Sequence, residues 1–454
     1  MNTFGKVIVA GLVATAVLQA VRPGIPATPE TAELQAPPEV KRVLEKDCYS
    51  CHSEELRLSW FDQVVPAYRL VRHDILDARV HLDFSTLGSE PAAAQKAALF
   101  EAVNMMQLGA MPLPNFAKLH PEARVTPEDL ATLKTYLAPW APAENHFDTA
   151  AGSLGATSDT APAPTNLANI QMEFNGLQFD SAFESWLLIS MTDRGDNNTL
   201  RFILGNEIAV KAVRSGHISP WPDGSRLAKI AWKQEVGGDG LVHPGNFVQV
   251  ELMVKDAQRC KGTKGWGWGR WRGLDLKPYG KDADFGNECT GCHEPVRGND
   301  YVYTLPITAA EVSGDEVVNH RAAALPESLP YQPLDWEAIT MYVNRNAHTI
   351  ATLYGNDTAM RDVRASGRAV KSTTYSPGAV LALVTWVQRD DPHWFGARIP
   401  DAPRSVEYVR VAAPGHASDY RRFAGANLIE DHANGNDALE RSSLILGLAP
   451  ARLP

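Results

Sequence analysis

The sequence predicts an α+β protein, with an all-α domain near the N-terminus followed by two related domains of mainly antiparallel β-sheet. Three observations carry this expectation. Apolar residues recur at helical spacing from Pro38 to about Trp140, the period changes to two beyond about residue 170, and the β-rich pattern repeats from about Leu325. At 454 residues the chain is also too long for a single core.

The first element is an apolar run from Val7 to Val21, preceded by Lys6 and interrupted by Thr15 and Gln19. A basic start and a short apolar run predict an export signal over residues 1–23. The run falls short of the ~20 residues of a comfortable spanning helix. Leu18-Gln19-Ala20 is a fair cleavage site, so the segment is either removed or kept as an N-terminal membrane anchor. In both cases the folded part is expected in the periplasm. Residues 24–37, rich in Pro, Thr and Ala, read as a tether.

The helical domain is expected over residues 38–140. Val40, Val43 and Leu44 mark one amphipathic face and Ala97, Leu99, Phe100 and Val103 another. Thr126-Pro127-Glu128-Asp129 is a helix start, with a capping threonine, proline at the first position and acids in the first turn. Residues 141–169, full of Ala, Thr, Ser, Gly and Pro, read as a linker.

The first β domain is expected over residues 170–307. Phe247 to Val254 alternates as a strand should, and Thr199–Leu204 and Ser225–Lys233 are further candidates. The second, over residues 325–454, is its duplicate. Trp186, Gly205-Asn206, Ala209, Val213-Arg214 and Trp232 return in order as Trp336, Gly355-Asn356, Ala359, Val363-Arg364 and Trp386.

The chemistry lies in two short motifs, Cys48-Tyr49-Ser50-Cys51-His52 and Cys289-Thr290-Gly291-Cys292-His293. Cysteines three apart sit on one turn and can add to both vinyl groups of a porphyrin. The next residue then carries an imidazole under the iron. The motifs therefore predict two covalently bound haem c groups, with His52 and His293 as iron ligands. A redox Cys-x-x-Cys has no need of the histidine, and a zinc site shared by both motifs would close a loop of more than two hundred residues. Only Cys260 remains, so no disulfide framework is available. The net charge of −10 argues against nucleic acid and provides no basic patch for anionic lipid. The duplicate lacks the motif and is expected to carry no haem.

With a haem attached, the helical domain is cytochrome c-like. Met111 in Gly109-Ala110-Met111-Pro112-Leu113-Pro114 is the candidate sixth ligand, because a rigid loop can hold its sulfur over the iron. His73, His81 and His120 compete for that role, and Met105 and Met106 suit the core. The region resembles the haem-binding domain family of exported cytochromes. The likeness rests on Cys48 to Ser53, Gly109 to Pro114 and His120-Pro121.

A second resemblance covers about residues 170–307. Asn206, Ala209, Trp221-Pro222-Asp223-Gly224, Glu251 to Asp256, Gly265-Trp266-Gly267-Trp268-Gly269 and Glu288 to His293 are similar, in this order, to the cytochrome P-460 family. That family includes hydroxylamine-oxidising and nitric-oxide-binding cytochromes, carries one haem on a sheet fold and tends to dimerise. The resemblance implies that Lys229 is bonded to the porphyrin edge and that Glu251 is a distal acid. Strand alternation puts Glu251 on one face with Gln249 and Met253. In the duplicate the lysine position is Leu383.

Residue by residue, blander readings stand beside these. Lys229 could be a solvated lysine and Glu251 an ordinary ion-pair partner. Lys255-Asp256 reads as an adjacent surface pair, and Trp266, Trp268 and Trp271 suit either a haem wall or a core. The expected function is oxidation of hydroxylamine or a similar small nitrogen compound at the second haem. Electrons would pass through the first haem to a soluble acceptor such as a small cytochrome c. The alternative is a non-catalytic electron carrier or nitric-oxide binder. The duplicate would make the chain an intrachain pseudo-dimer, with a homodimer as the other possibility.

Overall fold

The structure, a computed structural model, describes residues 11, 13, 15–27, 32–138, 167–310, 321–366, 373–413, 418–432 and 435–454. Two compact units divide around residue 139, the first helical and the second rich in β-sheet. The fold is therefore α+β. The predicted signal lies partly, and the linker mostly, outside the described residues. Among the described residues no helix is long and apolar enough to cross a membrane.

Helix α1 (Pro38–Asp47) starts on a proline, whose missing N–H costs nothing in a first turn, and buries Val40, Val43 and Leu44. The short α2 (Tyr49–His52) carries the first motif, and α3 (Ala67–His81) runs beside it. Helix α4 (Ala92–Gln107) buries Leu99, Phe100, Val103 and Met106, and Gly109 follows it in the left-handed region at φ 70°. After α5 (Pro114–Leu119) comes α6 (Pro127–Leu137), which opens with a capping box between Thr126 and Asp129.

The stretch read as a tether is docked instead. Its backbone finds partners in the helical unit: Tyr68 donates to the Pro23 carbonyl at 2.6 Å, and Arg72 and Arg79 donate to those of Gly24 and Pro26. Leu34 is buried, and its N–H donates to Phe84.

The β unit consists of two copies of one pattern. The first holds β1 (Leu187–Arg194), β2 (Thr199–Gly205), α7 (Glu207–Ser215), β3 (Arg226–Val236), β4 (Val242–Lys255), β5 (Trp266–Arg272), β6 (Lys277–Pro278) and α8 (Phe285–His293). The second holds β7 (Glu337–Asn344), β8 (Thr349–Gly355), α9 (Asp357–Ser366), β9 (Val380–Asp390), β10 (Ala397–Arg410), β11 (Asp419–Ala424), β12 (Ile429–Asp431) and α10 (Gly435–Gly447). The repeat extends to atoms. Asn206 caps α7 by accepting from Ala209, accepts also from Arg226, and donates to the Gly224 carbonyl. Asn356 makes the same three bonds with Ala359, Val380 and Gly378. Gly205 and Gly355 precede these caps because a Cβ there would press on Ala209 or Ala359 at 3.1 or 2.9 Å.

Neighbouring strands are antiparallel, and the copies join at both edges. Strand β4 meets β7 at Val242 and Val343, while β1 meets β10 at Asp193–Arg398 and Arg194–Ala397. The path β1-β2-β3-β4-β7-β8-β9-β10 thereby closes on itself, leaving no open edge at the seam. One core fills the space between the copies, with Met191, Trp232, Val250 and Leu252 from one and Met341, Trp386, Val406 and Tyr408 from the other. Outside the ring each copy has its own apolar face.

Asp193 is wholly buried at the seam. It accepts from Gln234 at 2.6 Å and from Gln388 at 3.2 Å, two residues that are equivalent in the repeat. Asp193→Ala should cost about 1–3 kcal/mol, chiefly through Gln388, since the Gln234 amide keeps the Thr199 carbonyl at 3.3 Å. The denaturation midpoint should fall while the slope with denaturant stays the same.

Candidate haem sites

At the first motif, the backbone N–H groups of Cys51 and His52 both donate to the Cys48 carbonyl, closing the turn that holds the two thiols together. Nδ1 of His52 lies 2.9 Å from the Leu82 carbonyl, just past the end of α3. A carbonyl can only accept, so Nδ1 carries the proton and Nε2 keeps its lone pair. Burial lowers the His52 pKa, which also favours the neutral, metal-binding imidazole.

Met111 sits on the loop that closes α4, anchored by the N–H groups of Ala110 and Met111 donating to Met105. Met106 is in the core. Of the competing histidines, His120 is buried with Nε2 on Asp62 at 3.1 Å and Nδ1 on Glu122 at 3.2 Å, so neither nitrogen is left for a metal. His81 turns Nδ1 back to its own helix at Asp77, and His73 is largely exposed beside Asp74.

The second motif repeats this arrangement on α8. Nδ1 of His293 donates to the Tyr301 carbonyl at 2.7 Å, again leaving Nε2 with its lone pair. Burial brings His293 down to about 4, so it is neutral at ordinary pH, and burial pushes the Cys289 thiol up to about 12. The carbonyl is held in place by a strained turn in which Asp300 and Tyr301 adopt φ values of 48° and 65°. Three partners fix that turn: both carboxylate oxygens of Asp300 accept from Lys255 at 2.7 Å, the Trp221 N–H donates to the same carboxylate, and the Trp266 indole donates to the Asp300 carbonyl.

Lys255 is therefore not part of an adjacent surface pair with Asp256, as the sequence reading has it. It is 7 % exposed and locked onto Asp300. Lys255→Met leaves the half-buried Asp300 carboxylate without its cation and should cost about 3 kcal/mol, the low end for a buried pair, read by chemical denaturation of the haem-loaded protein.

Lys229, Glu251 and Arg270 lie side by side on the outer face of β3, β4 and β5, in one cross-strand row. Glu251 forms ion pairs with Lys229 and with Arg270, the latter at 2.9 Å, and accepts from Gln249. Burial alone would raise the Glu251 carboxyl, but Arg270 and Lys229 overcome it and hold it well below the usual carboxylate range. Burial, joined by Arg201 and Arg270, brings Lys229 down to about 8 against the opposing pull of Glu251. Trp268 shares this outer cluster and meets the His293 ring at 4.6 Å, whereas Trp271 belongs to the core between the copies. Trp266 also faces outward. The glycine-spaced tryptophans thus serve both the site and the core.

Free thiols on one turn, a neutral imidazole with its inner nitrogen oriented, and a polar row across an apolar face together fit a haem at the second motif. The first motif offers the same thiol and imidazole set. Comparison with known families agrees: residues 181–304 match the Cytochrome P460 family, and residues 8–139 match the Haem-binding domain family. The chain is a haem cytochrome that joins these two domains. No curated protein matches it. The cytochrome P460 match ends before the second copy.

In that copy the row is rebuilt from different side chains. Leu383 occupies the position of Lys229 and is buried, while Glu407 replaces Glu251 opposite it. Glu407 accepts two bonds from Arg441 of α10, at 2.8 and 2.6 Å, and one from Tyr420. Helix α10 also buries Ile445 in the outer cluster. Side chains of the protein cover the face that the cytochrome P460 domain leaves to its haem motif.

Proposed function

We propose that the chain is an exported di-haem c-type cytochrome that oxidises hydroxylamine or a similar small nitrogen compound at its second haem. The row of Lys229, Glu251 and Arg270 beside His293 carries this reading. Cys289, Cys292 and His293 would hold a haem there, and that group would supply the redox chemistry when bound. Glu251 would accept the proton released as the compound is oxidised. Arg270 keeps that carboxylate oriented across the strands.

Lys229 is suited to bond to the ring edge in a step where its nitrogen would replace a ring hydrogen, two protons leaving and two electrons passing to an external oxidant; an amine whose pKa has come down to about 8 is partly neutral at neutral pH, as that step requires. Such a bond also bears on Glu251. A carboxylate held by two cations is a weak base, and loss of the Lys229 charge would raise its pKa toward the range useful for proton transfer. The helical domain, where His52 and Met111 would hold the first haem, would pass the electrons on to a soluble one-electron acceptor such as a small cytochrome c.

Peptide mapping of the purified protein by mass spectrometry tests the assignment. The expected product joins the peptide containing Cys289 and Cys292 to that containing Lys229 through the haem. Unjoined peptides, together with no turnover of hydroxylamine, would favour a nitric-oxide-binding or purely electron-carrying cytochrome.

A further inference from the structure

The two copies differ sharply at one pair of equivalent places, the hairpins between their third and fourth strands. In the first copy this hairpin is Gly237-Gly238-Asp239-Gly240, leading into Val242, which pairs with the copy that has no Cys-x-x-Cys-His motif. In the second it is Asp391-Pro392-His393-Trp394-Phe395-Gly396, leading into Ala397, which pairs with the haem-bearing copy. Bulky rings stand only in the hairpin that borders a haem motif.

Those rings reach His293 through Tyr303. The Tyr303 ring meets the His293 imidazole edge-on at 5.0 Å, and its hydroxyl donates to the Cys292 carbonyl at 2.8 Å. Trp394 packs edge-on against the other side of Tyr303 at 5.6 Å, and Nδ1 of His393 donates to the Tyr303 carbonyl at 2.9 Å. The hairpin is fixed in turn. Arg194 lies over the Trp394 ring at 4.3 Å and is paired with buried Asp196, which also accepts from the Trp394 indole at 3.3 Å. The Gly195 N–H donates to the Gly396 carbonyl at 3.0 Å.

We propose that the copy without a haem completes the proximal side of the other copy's haem site. Its His393 and Trp394 clamp Tyr303 against His293 and the Cys292 carbonyl. Both are positioning residues that act on the iron ligand through Tyr303. The edge-packed rings there exclude water from the side of the haem that carries His293, and exclusion of water raises a haem potential by disfavouring the more highly charged ferric state. This inference rests on His293 being the ligand of a second haem.

The test is a spectroscopic redox titration of the full chain, after its haem content has been measured by intact mass. The first haem serves as an internal reference. Trp394→Ala should lower the potential of the second haem by about the equivalent of a tenfold change in its reduction equilibrium, ~59 mV for one electron. Tyr303→Phe, which keeps the ring and loses the bond to Cys292, should give a smaller shift in the same direction. The first haem should not move. Trp394→Leu, which keeps an apolar side chain in place, is the substitute if the alanine variant fails to fold. An unchanged second potential in the tryptophan variant, or equal shifts of both haems, would overturn the clamp. A wild-type mass showing fewer than two haems would instead remove the reading on which it rests.

Discussion

Replacing Cys289 and Cys292 together by alanine is expected to leave a protein that carries one covalently bound haem where the wild type carries two. Intact mass spectrometry of material made in a host with cytochrome maturation reads this directly. The reason is local. Both thiols stand on one turn of α8, and the nearest alternative thiol, Cys260, lies in a separate turn after β4. The reciprocal change at Cys48 and Cys51 should remove the other haem and leave the absorption of the second. Because the units have separate cores, neither pair should abolish folding of the other unit. Two haems in either variant would contradict the assignment of both motifs.

Glu251→Gln is expected to lower kcat for hydroxylamine oxidation by about 10²- to 10⁴-fold, the range for loss of a positioned proton acceptor. The amide has nearly the shape of the carboxylate, so Gln249 and Arg270 keep a neighbour and haem loading should be retained. The measurement therefore pairs turnover with haem content and the Soret spectrum. Unchanged turnover with full haem loading would reduce Glu251 to the structural ion pair that it also forms with Lys229 and Arg270. The variant also removes the anion that holds Lys229, so its peptide map reports whether that ion pair is needed to bring the amine to the ring.

Much of this architecture was legible in the sequence where the governing physics is local. Attachment of a haem demands a fixed spacing of Cys and His, and capping demands particular side chains at particular offsets, so both motifs, the Thr126 box and the Asn206–Asn356 repeat could be read directly. Alternation likewise assigned Glu251, Gln249 and Met253 to one face and Val250 and Leu252 to the other, as found.

What could not be read depends on register and on contacts far apart in sequence. Arg270 is Glu251's partner because β4 and β5 pair with those two residues opposite each other, and nothing in either strand alone declares that register. Lys255 looked like a surface residue because its partner, Asp300, lies beyond two strands and a helix. The carbonyls of Leu82 and Tyr301 leave no mark in sequence, since any residue supplies one. The docked Pro-rich segment was missed because its composition suggests a free chain, while its bonds come from donors on α3.

The closed ring of strands sets what each copy is free to become. A copy without the Cys-x-x-Cys-His motif could in principle decay, yet its inner face still furnishes half of a shared interior and two of the joints that shut the barrel. Only the outward surface was at liberty to change, and there Arg441 and Ile445 of a helix pack onto the strands. Duplication in this chain thus yielded a permanent structural mate, bound to its twin covalently and unable to leave it.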